Sequence, residues 1–172
     1  MAVSHKAPES KYTLEGIIRY ITDQRRHDER VIYYAGIGTQ PYCAIRDMLL
    51  TKQLYSKTDR SQYKHIILLM GQDTDESNFI TATDEIAKAF YNLTGCQLVY
   101  AIHANTEKLH MHMVINSIRY NDGTRLDINN RMYFTMINIC NCILNRYGLE
   151  KVKTAERFIR EDYGEDIYMY CN

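Results

Sequence analysis

Apolar residues recur along this chain in two rhythms, one of three to four residues and one of two, and the switches between them predict alternating helices and strands. Leu14, Ile17, Ile18 and Ile21 repeat at helical spacing behind Thr13, a cap residue, with Glu15 in the first turn, so a helix is expected from Thr13 onward. Val31 to Tyr34 reads as a short strand, followed by a glycine-containing loop that ends at Pro41. Ile45, Met48, Leu49 and Leu54 place a helix over 44–57, and the apolar run 63–70, which contains His65, reads as a central strand closed by Gly71. A helix over 82–93 is expected after an acidic loop at 72–77, with Thr94-Gly95 as its stop.

Strand patterns then occupy 97–103 and 109–118, with a polar loop at 104–108 between them, which predicts a hairpin. Asn121-Asp-Gly123 signals a tight turn into a short partner strand at 125–128. Asn129 caps a long helix running through Met132, Met136, Cys140 and Leu144 to Gly148. Beyond it a short helix is expected around 154–161, in a C-terminal helix and tail spanning 150–172. Residues 1–11 show no periodicity and read as an extended lead-in. The order predicts a single α+β domain over 1–172, an antiparallel sheet with helices on one face and the other face available for a ligand.

The hairpin carries the chemistry. Three of the six histidines, His103, His110 and His112, fall within ten positions. Side chains alternate along a strand, so His110 and His112 share a face with Cα atoms about 6.6–6.8 Å apart. If 103 pairs with 110, then 101 pairs with 112, and His103 joins them with its Cβ roughly 4.5–5.5 Å from that of His110. Leu98, Tyr100, Ile102, Met111, Met113 and Ile115 then form an apolar opposite face. A lone H-x-H is more often a polar strand face than a ligand pair. The third histidine turns the balance toward a site, in which three neutral imidazoles with an open position suit Zn2+, Mn2+ or Co2+.

Composition narrows the picture less. Lys plus Arg equals Asp plus Glu at 21 each, which argues against a strongly basic surface but leaves room for a local groove. The five cysteines form no C-x-x-C pair, so neither a disulfide framework nor a zinc ribbon is indicated, and a reducing cytoplasm is the expected compartment. No membrane-spanning apolar run and no signal peptide is expected. Arg25, Arg26, His27 and Arg30 form a basic cluster after the first helix; as with most charge runs the plain reading is a solvated helix end, and the functional one is a grip on a phosphate backbone. Lys52, Lys57, Arg60 and Lys64 form a second set.

The segment from Val99 through His103, Asn105, His110 and His112 to Asn116, followed by a polar hairpin with Gly123, resembles the metal-binding motif of relaxases, the mobilisation nucleases of the HUH superfamily found on plasmids and integrative conjugative elements. A mobilisation type of the MOBP or MOBV kind is expected. The likeness covers roughly 13–147 and implies an HUH-nuclease-like palm. It places His103, His110 and His112 on a divalent metal, with Mn2+ or Mg2+ expected and Zn2+ or Co2+ as alternatives. Asn105 and Asn116 fall at supporting positions; many members carry aspartate where Asn105 stands.

The implied activity is nicking of one DNA strand at a transfer origin by a tyrosine hydroxyl, leaving a 5′-phosphotyrosyl adduct. Single-stranded DNA is the expected partner, together with accessory relaxosome and coupling proteins. Tyr20, on the first helix in Ile17-Ile-Arg-Tyr20-Ile, matches the early nucleophile of these enzymes, with His65 beside the site as a base or supporting group. Tyr12, Tyr33 and Tyr34 are fallbacks, and a histidine nucleophile would point to His27 or His5. Arg25, Arg26, Lys52, Lys57, Arg60 and Lys64 are the expected DNA contacts. Rolling-circle initiators and transposases of the same superfamily place the tyrosine after the histidine pair, at Tyr133 or Tyr147 here. A catalytically silent DNA-binding accessory is a further alternative.

Overall fold

Thr13 caps the first helix as its position predicts: its Oγ1 accepts the Gly16 N–H at 2.9 Å, and α1 runs Leu14–Thr22 with Leu14, Ile17, Ile18 and Ile21 buried. The structure, a computed structural model, describes residues 13–22, 31–104, 108–160 and 164–171. After α1 come β1 (Val31–Ile37), a 3-10 turn (Pro41–Cys43), α2 (Ala44–Leu54), β2 (Tyr63–Leu69) and α3 (Glu76–Thr94). The chain continues through β3 (Leu98–His103), β4 (His110–Asn116), α4 (Asn130–Arg146), β5 (Val152–Arg160) and β6 (Gly164–Cys171). Among the described residues no helix is long and apolar enough to cross a membrane.

The architecture is α+β, a six-stranded sheet in the order β1-β3-β4-β2-β6-β5. Alternation along the strands sorts two cores. Ile66, Leu68, Leu98, Tyr100, Ile102, Met111, Met113 and Ile115 pack with Phe79, Ile86 and Phe90 of α3 and with Met136, Cys140 and Leu144 of α4. Full burial of a Phe such as Phe79 or Phe90 stabilises by about 1.5–3 kcal/mol. The residues between them in sequence, Val99, Ala101 and Val114, join Tyr63 and the apolar sides of α1 and α2 in a smaller core. Helices therefore cover one face, and α1 and α2 also cover part of the other, where the sequence alone placed none.

Four further expectations are corrected. The helix expected around 154–161 is the strand β5, and with β6 it forms an antiparallel hairpin. Lys, Ala, Glu and Arg there favour a helix in isolation, but pairing with β6 decides the outcome. Because β6 then lies parallel to β2, the sheet is mixed and not wholly antiparallel. The helix α3 begins at Glu76, inside the expected acidic loop, since the Asp75 carboxylate accepts the Asn78 N–H at 2.7 Å and Phe79 is drawn into the core. At 125–128 a single bridge, Ile118 to Arg125, replaces the expected strand. Asn129 does cap α4, accepting the Met132 N–H at 3.0 Å.

Candidate metal centre

The β3–β4 ladder pairs His103 with His110 and Ala101 with His112. Strand alternation then turns all three imidazoles to the α1 side of the sheet, with ring centroids 5.4 Å apart for His103 and His110, 4.7 Å for His103 and His112, and 5.1 Å for His110 and His112. One ring nitrogen from each lies within 4.8 Å of the others. His103 and His112 are buried and His110 is half-buried. The outward nitrogens have carbonyl partners: His103 Nε2 donates to the Ile21 carbonyl at 2.8 Å and His110 Nδ1 to the Lys108 carbonyl at 3.2 Å. A carbonyl only accepts, so the neutral tautomers leave the lone pair on Nδ1 of His103 and on Nε2 of His110. Backbone partners of this kind fix ring orientation in metal-binding histidines, and an all-imidazole donor set fits a divalent metal.

His65 extends the cluster. It faces the same side from the neighbouring strand β2, where its Cα partner is Val114 and that of His112 is Ile67. Its Nε2 lies 3.0 Å from His112 Nδ1, with the two rings stacked at 5.2 Å and 18°. Its Nδ1 lies 3.2 Å from Asp166 Oδ1, both side chains being about 5% exposed. The parallel pairing of β2 with β6 sets this contact, because His65 and Asp166 are Cα partners. Sequence reasoning missed Asp166. The β-branched and aromatic content of Ile167, Tyr168 and Tyr170 was the available signal, outweighed by the helical reading just before it.

Tyr20 sits on α1, half-buried, with its ring edge-on to His112 at 5.8 Å and 83°. The buried stripe of α1 fixes that approach, and the His103 hydrogen bond to Ile21 ties the same helix turn to the histidines. Tyr34, the Cα partner of Ala101, shares the α1 side of the sheet and is exposed, whereas the other rival tyrosines among the described residues lie on the opposite face. Tyr133 packs in the α3–α4 core with the Arg157 guanidinium 5.3 Å from its ring, and burial raises its phenol pKa. Tyr147 donates to Glu85, a bond that raises its pKa. Tyr33 donates to Asp84 at 3.2 Å, beside Tyr100 of that same face.

Several expected contacts are not brought to the centre. Lys52, on the inner side of α2, is fully buried with its ammonium donating to Asn116, so it cannot meet a DNA backbone; burial pushes its pKa down to about 7. Asn116 is also buried, and its amide donates to Met48 O at 3.3 Å and to Gln97 Oε1 at 3.1 Å. Four residues along β4 from His112, about 13 Å at strand rise, it braces α2 and does not support the histidines. Lys64 points to the other face of the sheet and pairs with buried Glu165 at 3.0 Å. Lys57 and Arg60 are exposed, in the loop that enters β2 from the end away from His110. Both nitrogens of His65 are engaged in the chain from His112 to Asp166. Asn105, Arg25, Arg26, His5, His27 and Tyr12 lie outside the described residues.

A family model described as Relaxase: MobA/VirD2-like, nuclease domain, matches residues 20–149. Two proteins named Protein TraI, both from Escherichia coli, are similar to the chain. One is 25% identical over 143 residues, 78% of this chain and 19% of the relative. The other is 23% identical over 147 residues, 82% of this chain and 19% of the relative. The chain thus spans about a fifth of the length of these curated relatives. No solved structure matches it.

Proposed function

Because the chain belongs to the MobA/VirD2-like relaxase nuclease family, we propose that it nicks single-stranded DNA at a transfer origin and becomes covalently joined to it through Tyr20, as a step in conjugative transfer. The observation that carries this reading is the approach of Tyr20 to His112 beside the three-histidine cluster. Bound by His103, His110 and His112, a divalent metal, with Mn2+ or Mg2+ favoured over Zn2+ or Co2+, supplies positive charge against the scissile phosphate and its transition state.

The chain's own residues supply the rest. Tyr20 Oη forms a bond to phosphorus as the bond from phosphorus to the 3′ oxygen breaks; the departing oxygen takes up a proton and the phenolic proton passes to solvent. The phosphotyrosyl ester keeps the bond available for rejoining. His103 holds α1 through the Ile21 carbonyl and so keeps nucleophile and histidines in one frame. His65 acts here as a positioning group. Arg25 and Arg26, five and six residues after Tyr20, are our choice for the flanking phosphates. Accessory relaxosome and coupling proteins are the expected further partners.

The rolling-circle and transposase alternative, which needs a tyrosine from a later helix, is disfavoured because Tyr133 and Tyr147 pack on the α3–α4 side of the sheet. The test is incubation with Mn2+ and single-stranded oligonucleotides tiling the transfer region of the chain's own element. A protein band that carries labelled DNA through denaturation supports the reading. Binding without any adduct across the tiled set supports the silent accessory instead.

A further inference from the structure

Asp166 lies beyond residues 20–149 that the family model matches, on a strand the sequence disguises, yet it is a nearly buried carboxylate joined to the histidine cluster. An ionised carboxylate only accepts hydrogen bonds. His65 Nδ1, 3.2 Å from Asp166 Oδ1, therefore carries the proton of that bond. In a neutral His65 the other nitrogen, Nε2, is then the acceptor, and its neighbour at 3.0 Å, His112 Nδ1, must donate to it. A neutral His112 with its proton on Nδ1 has its lone pair on Nε2. The sense of every bond in this chain follows from the acceptor at its end.

We propose that Asp166 is a positioning residue for the metal centre, acting through His65 to hold His112 in the tautomer that presents the Nε2 lone pair to a divalent cation. The proposal rests on the metal site assigned above. His103 and His110 have backbone carbonyls to set their tautomers. His112 has another histidine instead, and two imidazoles can share a proton in either sense. A fixed acceptor beyond His65 removes that ambiguity. Outer partners of this kind change metal affinity by about 10–100-fold when altered.

The geometry depends on β6 register. Side chains alternate with a period of two, so a slip of one residue would turn Asp166 to the other face and leave Glu165 or Ile167 beside His65. In the register observed, Glu165 points away and is taken up by Lys64 and Arg157.

Two measurements test the proposal. Protein labelled with 15N at histidine, metal-free at pH 8, reports which nitrogen of His112 is protonated, with the signal assigned against His112→Gln. Proton on Nδ1 is expected; proton on Nε2 overturns the proposal. Mn2+ titration by calorimetry then compares the parent with Asp166→Asn, which keeps the shape but offers a donor as well as an acceptor to His65. A loss of affinity of about 10–100-fold, with His112 signals shifted toward the Nε2–H form, is expected. Parental affinity and parental tautomer in a folded Asp166→Asn protein overturn it, because a merely structural Asp166 would leave both unchanged. If that variant does not fold, the parent spectrum alone decides. A parent that binds no Mn2+ overturns the metal site itself, and the tautomer measurement still judges Asp166.

Discussion

His103 and His110 face each other as direct partners across the β3–β4 ladder, their rings meeting nearly edge to face at 5.4 Å and 68°. This pairing makes a three-nitrogen site out of residues seven apart in sequence, and His112 joins it because it lies two residues along the same face. Calorimetric titration of the parent with Mn2+ is expected to give one site per chain. In the His103→Ala/His110→Ala/His112→Ala variant that site should vanish, and an unchanged stoichiometry would place the metal elsewhere.

Tyr20→Phe removes one oxygen from a ring whose packing against His112 is edge-on. The variant should form no covalent DNA adduct while keeping parental Mn2+ affinity and a melting temperature within a few degrees of the parent. A variant that still carries labelled DNA through denaturation would show that another residue attacks.

Lys52 makes stability depend on pH. Burial lowers its folded pKa to about 7 from 10.5, with the cation of Arg125 acting in the same direction. Between those values the unfolded chain binds the extra proton, so stability rises with pH from about 7 upward, by at most about 1.4 kcal/mol per pH unit. Below about 7 the cost of the buried charge is fully present. Lys52→Met takes this slope away but leaves the Asn116 carbonyl without its donor, a loss of about 1–3 kcal/mol where Lys52 is neutral. Urea unfolding at pH 6, 7.5 and 9 should show the parent gaining on the variant as pH rises; a constant gap would contradict the burial of a titrating amine.

Glu165 is about 2% exposed and bridges Lys64 and Arg157 from β6. Removing a buried carboxylate strands its cations, and because Lys64 and Arg157 keep some contact with water the expected cost of Glu165→Ala is about 2–3 kcal/mol, below the roughly 3–5 kcal/mol of a fully buried pair. Chemical denaturation measures it. A change below about 0.5 kcal/mol, the range of ordinary surface substitutions, would mean the pairs contribute nothing.

The three-histidine convergence was legible in the chain itself. A strand period of two and a short polar loop determine which residues oppose one another, and both are local properties of 97–118. The apolar stripe of α1 was legible for the same reason, and with it the turn that carries Tyr20. Local pattern also places Thr13 and Asn129 at helix starts, because a cap needs only the three residues that follow it.

What the tertiary structure alone decided is which distant segments lie side by side. The order of strands puts β6 parallel to β2, and only that neighbour brings Asp166 to His65 across 101 positions of sequence. The packing of α2 turns Lys52 inward to Asn116, 64 residues away, converting a lysine that reads as a surface cation into a buried hydrogen-bond donor. The same packing makes Asn116 a brace for α2, although its place in the motif put it with the histidines. Spacing along the chain sets which residues share a face. Burial and long-range pairing set what those residues touch, and they follow from the free energy of the whole core, which no short stretch of sequence contains.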